Sequence, residues 1–396
     1  MQRKGWWALG IGMAVAGAFF ALAPAVLESN MNRIDHQPLI PVSAEAQALH
    51  KTLQIVDLHS DTLLWKRDPL QNVGRGHEDL PRLAAGNVAL QLWSSVSKTP
   101  RGQNYDHNSG AHDNIWMLVV AQLQPLRTWT SLVERSLYHG ERLDRAVAGS
   151  AGQLMKVDSP ASLDALLAQR AAKAGGKPPV GAMLTIEGLH DLEGKIENLD
   201  RLYAAGFRVA GLAHFFDNEL AGSMHGEAKG GLTPFGRQVV KAMEAKGMVV
   251  DIAHCSHACV ADVLAMARRP VVFSHGGVQA TCKVNRNLTD DEIKAVARNG
   301  GVIGIGYWDG AVCDTSPRAT AKAMAHVRDL VGADVLALGS DYDGTTTVRF
   351  DTSQLEQVTQ ALLDEHFTPD EIRKVMGGNA LRVLRAGLVP RPDLAG

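Results

Sequence analysis

The stretch IVDLHSDT, residues 55–62, decides how we interpret the rest of the sequence. Its first four residues form a short, mostly apolar run with two β-branched side chains, which is typical of a buried strand. His59 and Asp61 follow at the end of that run, two residues apart. Because side chains alternate along a strand, the imidazole and the carboxylate project from the same face. The pair suits a divalent metal, but a polar cluster at a strand end would look the same.

Short apolar runs of this kind recur along the chain, mostly separated by helical patterns. The predicted strands cover residues 55–58, 87–93, 180–186, 208–213, 248–253, 270–274, 302–306 and 335–340. Alternating strands and helices indicate a parallel sheet, and eight such units predict a closed (β/α)8 barrel of the TIM type. The rival is an open doubly wound sheet, which normally has a glycine-rich turn after its first strand, and the sequence has none there.

Polar residues lie at the ends of these predicted strands. In a barrel of this type the active site forms at the carboxyl ends of the strands. The residues found at such ends are His59, Asp61, Glu187, His214, His254, His275, Tyr307 and Asp341. Their repeated position after a strand predicts that they meet in one site.

Six of these residues have side chains that bind metals: His59, Asp61, Glu187, His254, His275 and Asp341. Mixed nitrogen and oxygen ligands suit zinc. Six are too many for one tetrahedral catalytic zinc, which takes three protein ligands. They are about right for two metal ions that share a carboxylate, and Glu187, on a middle strand, is the candidate bridge. We therefore predict a binuclear metal site at the carboxyl ends of the strands.

The overall composition is that of a globular protein. The chain has 396 residues, of which 45% are hydrophobic and 21% are charged, with a formal net charge of −2. The near-neutral charge and the lack of a basic tract give no support for nucleic-acid binding. The sequence leaves open whether the protein is a monomer or a homodimer.

The N-terminal segment differs from the rest of the chain. Arg3 and Lys4 precede a nearly uncharged apolar stretch, residues 6–27, with small residues at Ala21, Ala23 and Ala25. This pattern predicts export through a signal peptide or an N-terminal membrane anchor over residues 1–30. An uncleaved segment would hold the protein in the membrane, facing the periplasm or the cell exterior, and a cleaved one would leave it soluble there. A linker, 31–50, and one barrel domain, 51–396, complete the predicted organisation.

Several motifs together resemble one known family. They are V-D-L-H-S-D (56–61), T-I-E-G (185–188), L-A-H (212–214), D-I-A-H (251–254), F-S-H (273–275) and G-S-D-Y-D-G (339–344). In this order and spacing they resemble the membrane (renal) dipeptidases, metallopeptidase family M19, over residues 50–387. These are barrels of the amidohydrolase type.

The resemblance implies zinc-dependent hydrolysis of dipeptides by a metal-bridging hydroxide. It assigns His59 and Asp61 to one of two zinc ions, His254 and His275 to the other, and Glu187 to both. It further implies that Asp341 is the acid/base, that His214 contacts the scissile carbonyl, and that Arg286 binds the terminal carboxylate of the substrate. Tyr307 is a further candidate for substrate binding. The family also has a disulfide at the places of Cys282 and Cys313.

Residues 97–176 and the segment after His214 match the family poorly, so the resemblance does not predict the substrate preference. An alternative is a metal-dependent amidase or deacylase that acts on N-acyl amino acids or related small amides on the same barrel. A serine esterase is disfavoured because the chain has no G-x-S-x-G motif. A non-catalytic binding protein would be expected to lack some of the six metal-binding residues, and all six are present.

Overall fold

The computed structural model describes the backbone of residues 2–172 and 178–394, and the side chains of the same residues except 2–12 and 14–16. Within these residues the strands are β1 (Arg33–Ile34), β2 (Ile55–Ser60), β3 (Val88–Ser95), β4 (Leu154–Lys156), β5 (Val180–Ile186), β6 (Phe207–Gly211), β7 (Val249–Asp251), β8 (Val272–Gly276), β9 (Val302–Ile305), β10 (Leu336–Leu338) and β11 (Thr347–Val348).

Eight parallel strands close into a barrel, which confirms the predicted (β/α)8 fold. The order around the barrel is β3-β2-β10-β9-β8-β7-β6-β5, and pairing of β3 with β5 closes the ring. Strand β4 pairs with β5 outside the ring. Each predicted strand overlaps one barrel strand. All residues of β2, β3 and β5 are buried, as expected for parallel strands that are covered on both faces.

Helices follow most barrel strands and cover the sheet. They are α1 (Gln2–Met31), α2 (Ala44–His50), α3 (Leu80–Ala85), α4 (Ile115–Ala121), α5 (Leu132–Gly149), α6 (Pro160–Ala172), α7 (Glu197–Ala204), α8 (Pro234–Lys246), α9 (His257–Met266), α10 (Asp290–Asn299), α11 (Asp309–Val312), α12 (Pro317–Val331), α13 (Glu356–Asp364), α14 (Pro369–Arg373) and α15 (Asn379–Gly387).

Local sequence sets where these helices begin and end. The Thr233 hydroxyl accepts a hydrogen bond from the Gly236 amide at the start of α8, and Pro234 occupies the first turn. Gly247 ends the same helix at φ 79°, a left-handed conformation that favours glycine. Helix α10 begins with a reciprocal capping box between Thr289 and Glu292. Such signals direct the chain back to the next strand.

The N-terminal region is attached to the barrel domain. Helix α1 contains Pro24, and much of the predicted export segment, residues 1–30, has side chains that lie outside the described residues. Among the residues that the structure describes, we find no helix with both the length and the apolar character that crossing a membrane requires. Residues 31–50, predicted as a linker, contain α2 and strand β1, which pairs in parallel with β11. The predicted domain boundaries stay predictions.

Candidate metal centre

The predicted metal ligands converge at the carboxyl ends of the barrel strands. His59 and His275 are the second-last residues of β2 and β8, and Glu187 directly follows β5. His254 and Asp341 follow β7 and β10 in left-handed backbone conformations, with φ of 61° and 56°. Non-glycine residues rarely adopt this conformation, and where they do the residue is often functional. Here it aims both side chains back over the barrel.

The carboxylate of Glu187 lies between two groups of ligand atoms. Its Oε1 is 2.8 Å from Nε2 of His254 and 3.1 Å from Nε2 of His275. Its Oε2 is 3.6 Å from Nε2 of His59, which is itself 3.6 Å from Oδ1 of Asp61. One carboxylate therefore presents one oxygen to each group, as a bridging ligand must.

The ligand atoms fit a pair of metal ions. Nε2 of His59 and Oδ1 of Asp61 are buried and have no hydrogen-bond partner in the described part of the chain. Buried polar atoms are normally satisfied, so this pair needs a partner such as a cation. Three overlapping sets of side chains could each hold an ion: His59, Asp61 and Glu187; Glu187, His254 and His275; and His59, His275 and Asp341.

The electrostatics differ between the ligand histidines: burial opposes the shift, but Glu187 and Asp61 raise the pKa of His59 well above the ordinary value, whereas the other two histidines favour ligation. Burial and the nearby Arg286 guanidinium hold the pKa values of His254 and His275 well below the ordinary value for histidine. Both imidazoles are therefore neutral, the form that binds metals. Burial alone would raise the pKa of Glu187, but His214 and His59 hold it well below its usual range. Glu187 is thus an anion within a cluster of imidazoles.

Three of the four residues assigned to catalysis and substrate binding also reach the centre. Oδ1 of Asp341 is 3.8 Å from Nε2 of His59. Nε2 of His214 is 3.4 Å from Oε1 of Glu187. Nη1 of Arg286 is 3.0 Å from Nε2 of His254, and the arginine is 1% exposed. Arg286 is therefore buried beside the candidate ligands.

Tyr307 is the one predicted site residue that the structure does not bring to this cluster. Its side chain is fully buried, and its ring packs against Tyr342 at 5.6 Å and Phe350 at 5.1 Å between centroids. The next residue, Trp308, takes its place beside the ligands, with its ring 6.2 Å from that of His275. Strand β9 ends at Ile305, one residue before the predicted strand end, and the chain beyond it packs Tyr307 against Tyr342 and Phe350 instead of the ligands.

Two buried aspartates that the sequence analysis missed support the ligands. Oδ1 of Asp57 accepts hydrogen bonds from the amides of His59 (3.1 Å) and Ser340 (3.0 Å). Oδ1 of Asp251 accepts in the same way from Ala253 (2.9 Å) and Ser274 (3.0 Å). Each aspartate ties its strand end to a neighbour. In the sequence, each is an aspartate within an apolar run that precedes a ligand histidine, by two residues for Asp57 and by three for Asp251. That pattern could have identified both.

Cys282 and Cys313 form a disulfide, with Cα atoms 5.4 Å apart. Cys282 lies in the loop that carries Arg286, and Cys313 lies in the loop that carries Trp308. Cys255 and Cys259 are free and buried. The bridge therefore joins two loops that line the candidate site.

Comparison with known proteins now identifies the family. The family described as membrane dipeptidase (peptidase family M19) matches residues 43–389. The chain belongs to this family. A dipeptidase of Aspergillus oryzae, aclJ, is 30% identical over 388 residues, covering 92% of this chain and 84% of its own length. A dipeptidase of Claviceps purpurea, tcpJ, is 29% identical over 319 residues, covering 78% of this chain and 69% of its own.

Solved structures share the barrel. The probable dipeptidase PvdM from Pseudomonas aeruginosa superposes with a TM-score of 0.73 at 19% identity, covering 87% of this chain and 98% of its own. A metallopeptidase from Rhodobacter sphaeroides was solved in complex with a phosphinate mimic of the dipeptide L-Ala-D-Ala. It superposes with a TM-score of 0.65 at 20% identity, covering 85% of this chain and 99% of its own. Membership in family M19 makes the protein a peptide-bond hydrolase of a metallo-dipeptidase family.

Proposed function

We propose that this member of family M19 is a zinc-dependent dipeptidase with two metal ions in each chain. One observation carries the proposal: the two oxygens of Glu187 face two separate sets of ligand atoms. Zinc is favoured over calcium or magnesium because three of the five ligands are imidazoles, which the harder ions avoid. The dipeptide substrate is supported by the fungal relatives named as dipeptidases and by the dipeptide mimic in the Rhodobacter structure.

The ligand set divides into His59 with Asp61 on one side and His254 with His275 on the other, and Glu187 serves both. Zinc bound there would lower the pKa of a water molecule to about 7 and polarise the scissile carbonyl. The protein's own part is to hold the ligands in place. Ser274 supports His275 through a 2.8 Å contact between its hydroxyl and Nδ1, which fixes the ring orientation.

Asp341 is the proposed acid/base. Burial raises the pKa of its carboxyl well above the ordinary value, and the charge of Glu187 adds to that effect, while His59 opposes it. In its ionised form the carboxylate can accept a proton from the attacking water, and the resulting carboxylic acid can donate that proton to the departing amine. Its position, 3.8 Å from His59 in the shared cluster, supports this task.

His214 and Arg286 complete the proposed site. The ring of His214 lies against that of His254, 4.8 Å between centroids, where it can donate a hydrogen bond to the developing oxyanion. Arg286 presents a planar guanidinium that suits the terminal carboxylate of a dipeptide, since it can donate two parallel hydrogen bonds. These roles explain why a buried arginine lies beside neutral histidines.

Export of the enzyme is part of the proposal. The basic and apolar N-terminal pattern supports it, and so does the disulfide between Cys282 and Cys313, because disulfides persist in oxidising compartments.

The test is a substrate panel with the purified enzyme. We expect hydrolysis of unmodified dipeptides, loss of activity after treatment with a chelator, and recovery when zinc is returned. N-acetyl amino acids and N-acetylated dipeptides form the second arm. Preferential cleavage of these N-acyl compounds, with little turnover of free dipeptides, would replace the dipeptidase with the amidase or deacylase alternative.

A further inference from the structure

Trp308 forms one side of the site next to the arginine. The guanidinium carbon of Arg286 lies 5.1 Å from the centre of the Trp308 ring, a cation–π distance. Trp308 is 2% exposed. Its buried indole therefore packs directly beside the guanidinium.

Tyr105 extends this surface from the other side. Its hydroxyl accepts a hydrogen bond from Nε1 of Trp308 at 3.1 Å. Although 38% of the residue is exposed, burial of the hydroxyl raises its pKa, and the charges of Arg286 and Asp341 both act on it. Part of the tyrosine thus faces solvent while its hydroxyl lies against the Trp308 indole.

Two glycines make room for this pair. A Cβ atom at Gly310 would lie 2.3 Å from the Tyr105 hydroxyl and 2.7 Å from Nε1 of Trp308. A Cβ atom at Gly306 would lie 2.0 Å from the Trp308 ring. Any larger residue would displace the aromatic side chains. In the sequence GYWDG, residues 306–310, the two glycines therefore leave space for the Trp308 ring and for the Tyr105 hydroxyl.

The loop that carries Tyr105 is fixed to a second loop over the site. The Tyr105 carbonyl oxygen is 2.8 Å from Nδ1 of His225, and the Asn108 amide donates to the His225 carbonyl at 2.8 Å. The His225 ring stacks on the ring of Phe215, the residue after His214, with 4.4 Å between the ring centroids. Tyr105 consequently has a defined position and is not a free loop tip.

We propose that Tyr105 and Trp308 determine substrate length by closing the pocket beyond Arg286. A dipeptide bound through its free carboxylate ends at this wall. A third residue, or a C-terminal amide group that replaces the carboxylate, would meet the aromatic pair and lose the arginine contact. Rejection of longer peptides then comes from steric exclusion at these two side chains. The inference rests on the proposed dipeptidase activity and adds residues that determine its specificity.

The test compares Tyr105→Ala and Tyr105→Phe with wild-type enzyme on a dipeptide and on the tripeptide that extends it at the C-terminus. For Tyr105→Ala we expect KM for the dipeptide to rise about tenfold with kcat within about threefold, and the dipeptide-to-tripeptide ratio of kcat/KM to fall at least about tenfold. Tyr105→Phe keeps the ring and loses one hydrogen bond, so its KM should rise only about threefold. Tyr203→Phe, on α7, is the matched control and should change neither value.

The outcomes separate the two proposals. One outcome is that wild-type enzyme hydrolyses dipeptides while Tyr105→Ala keeps both its KM and its discrimination against the tripeptide. In that case Tyr105 and Trp308 do not determine substrate length, and the dipeptidase assignment stands. If wild-type enzyme with bound zinc hydrolyses no dipeptide, the proposed function fails and this inference fails with it. A fall in kcat alone, with KM and discrimination unchanged, would also overturn the inference.

Discussion

At the scale of single residues, the proposed acid/base role of Asp341 depends on both its position and its protonation. The carboxyl group is 8% exposed and lies beside the ligands of both proposed metal ions. We expect Asp341→Asn to keep the fold, because the amide is nearly isosteric, and to keep most of the metal, because five other ligands remain. Turnover of dipeptides should fall about 10²- to 10⁴-fold, the usual contribution of a positioned acid/base. Steady-state kinetics with metal analysis of the same sample measures both.

Asp343→Asn is the matched control for that variant. Asp343 is fully buried, pairs with Arg67 and accepts a 2.7 Å hydrogen bond from Thr62. The change removes one of the two carboxylates that pair with Arg67, the other being Glu28, so the free energy of unfolding should fall by about 1–3 kcal/mol. Turnover per folded molecule should change much less than in Asp341→Asn. Equal losses of turnover in the two variants, with metal retained, would contradict the proton-transfer role of Asp341.

Asp191 links stability to pH outside the metal centre. Burial raises its pKa to about 7, although the hydroxyls of Ser136 and Ser97 donate to it. The folded state thus favours the neutral acid, and the stability this gives is present below pH of about 4 and is lost as pH rises towards 7. We expect Asp191→Asn to flatten the fall in melting temperature between pH of about 4 and 7, measured by calorimetry. The exposed Asp106→Asn is the control, and an identical pH profile in wild type and Asp191→Asn would refute the assignment.

At the scale of elements, the disulfide fixes two site loops to each other. Cys282 and Cys313 are separated by 31 residues, and a bridge over such a loop stabilises by about 2–4 kcal/mol. The paired change Cys282→Ser and Cys313→Ser should lower the free energy of unfolding by that amount and raise KM more than it lowers kcat, because Arg286 and Trp308 lie on the joined loops. Wild-type enzyme should respond to reductant in the same direction, and the double variant should not. A double variant that still loses stability on reduction would contradict this bridge.

The last turn of α1 is a second structural attachment. Glu28 is 1% exposed and pairs with Arg67 and with Arg75, the latter at 2.6 Å. Arg67 also pairs with Asp343, two residues from the proposed acid/base. Glu28→Gln should lower the free energy of unfolding by about 1–3 kcal/mol, because Arg67 keeps its pair with Asp343 while one charged hydrogen-bond acceptor is lost. Denaturant unfolding measures this, with the exposed Glu45→Gln as the control, and equal stability of the two variants would show that Glu28 is dispensable.

The sequence predicted the barrel strands because each is a compact apolar run with its own local signal. It did not predict β1, β4 or β11, which have two or three residues each. Such short strands form only because a partner strand is present, and the partner of β1 is 314 positions away, since Arg33 pairs with Thr347. Pairing set by tertiary context is not encoded in a local pattern.

At the scale of the whole molecule, barrel closure explains why the site was largely predictable. The strand ends of a closed parallel barrel meet at one face, so residues as distant as His59 and Asp341 come within 3.8 Å. The Tyr105–Trp308 contact was not predictable, because it depends on how two long loops pack over that face. Loops carry specificity and leave little trace in strand and helix periodicity.

The number of metal ions needed for activity tests the proposed binuclear site most directly. In that site two zinc ions would share Glu187. Purified enzyme should be stripped of metal and then titrated with zinc, and elemental analysis and dipeptide hydrolysis should be measured on the same samples. We predict two zinc ions per chain at full activity, and loss of at least one of them in Glu187→Gln. Full activity with no more than one metal ion per chain would contradict the claim.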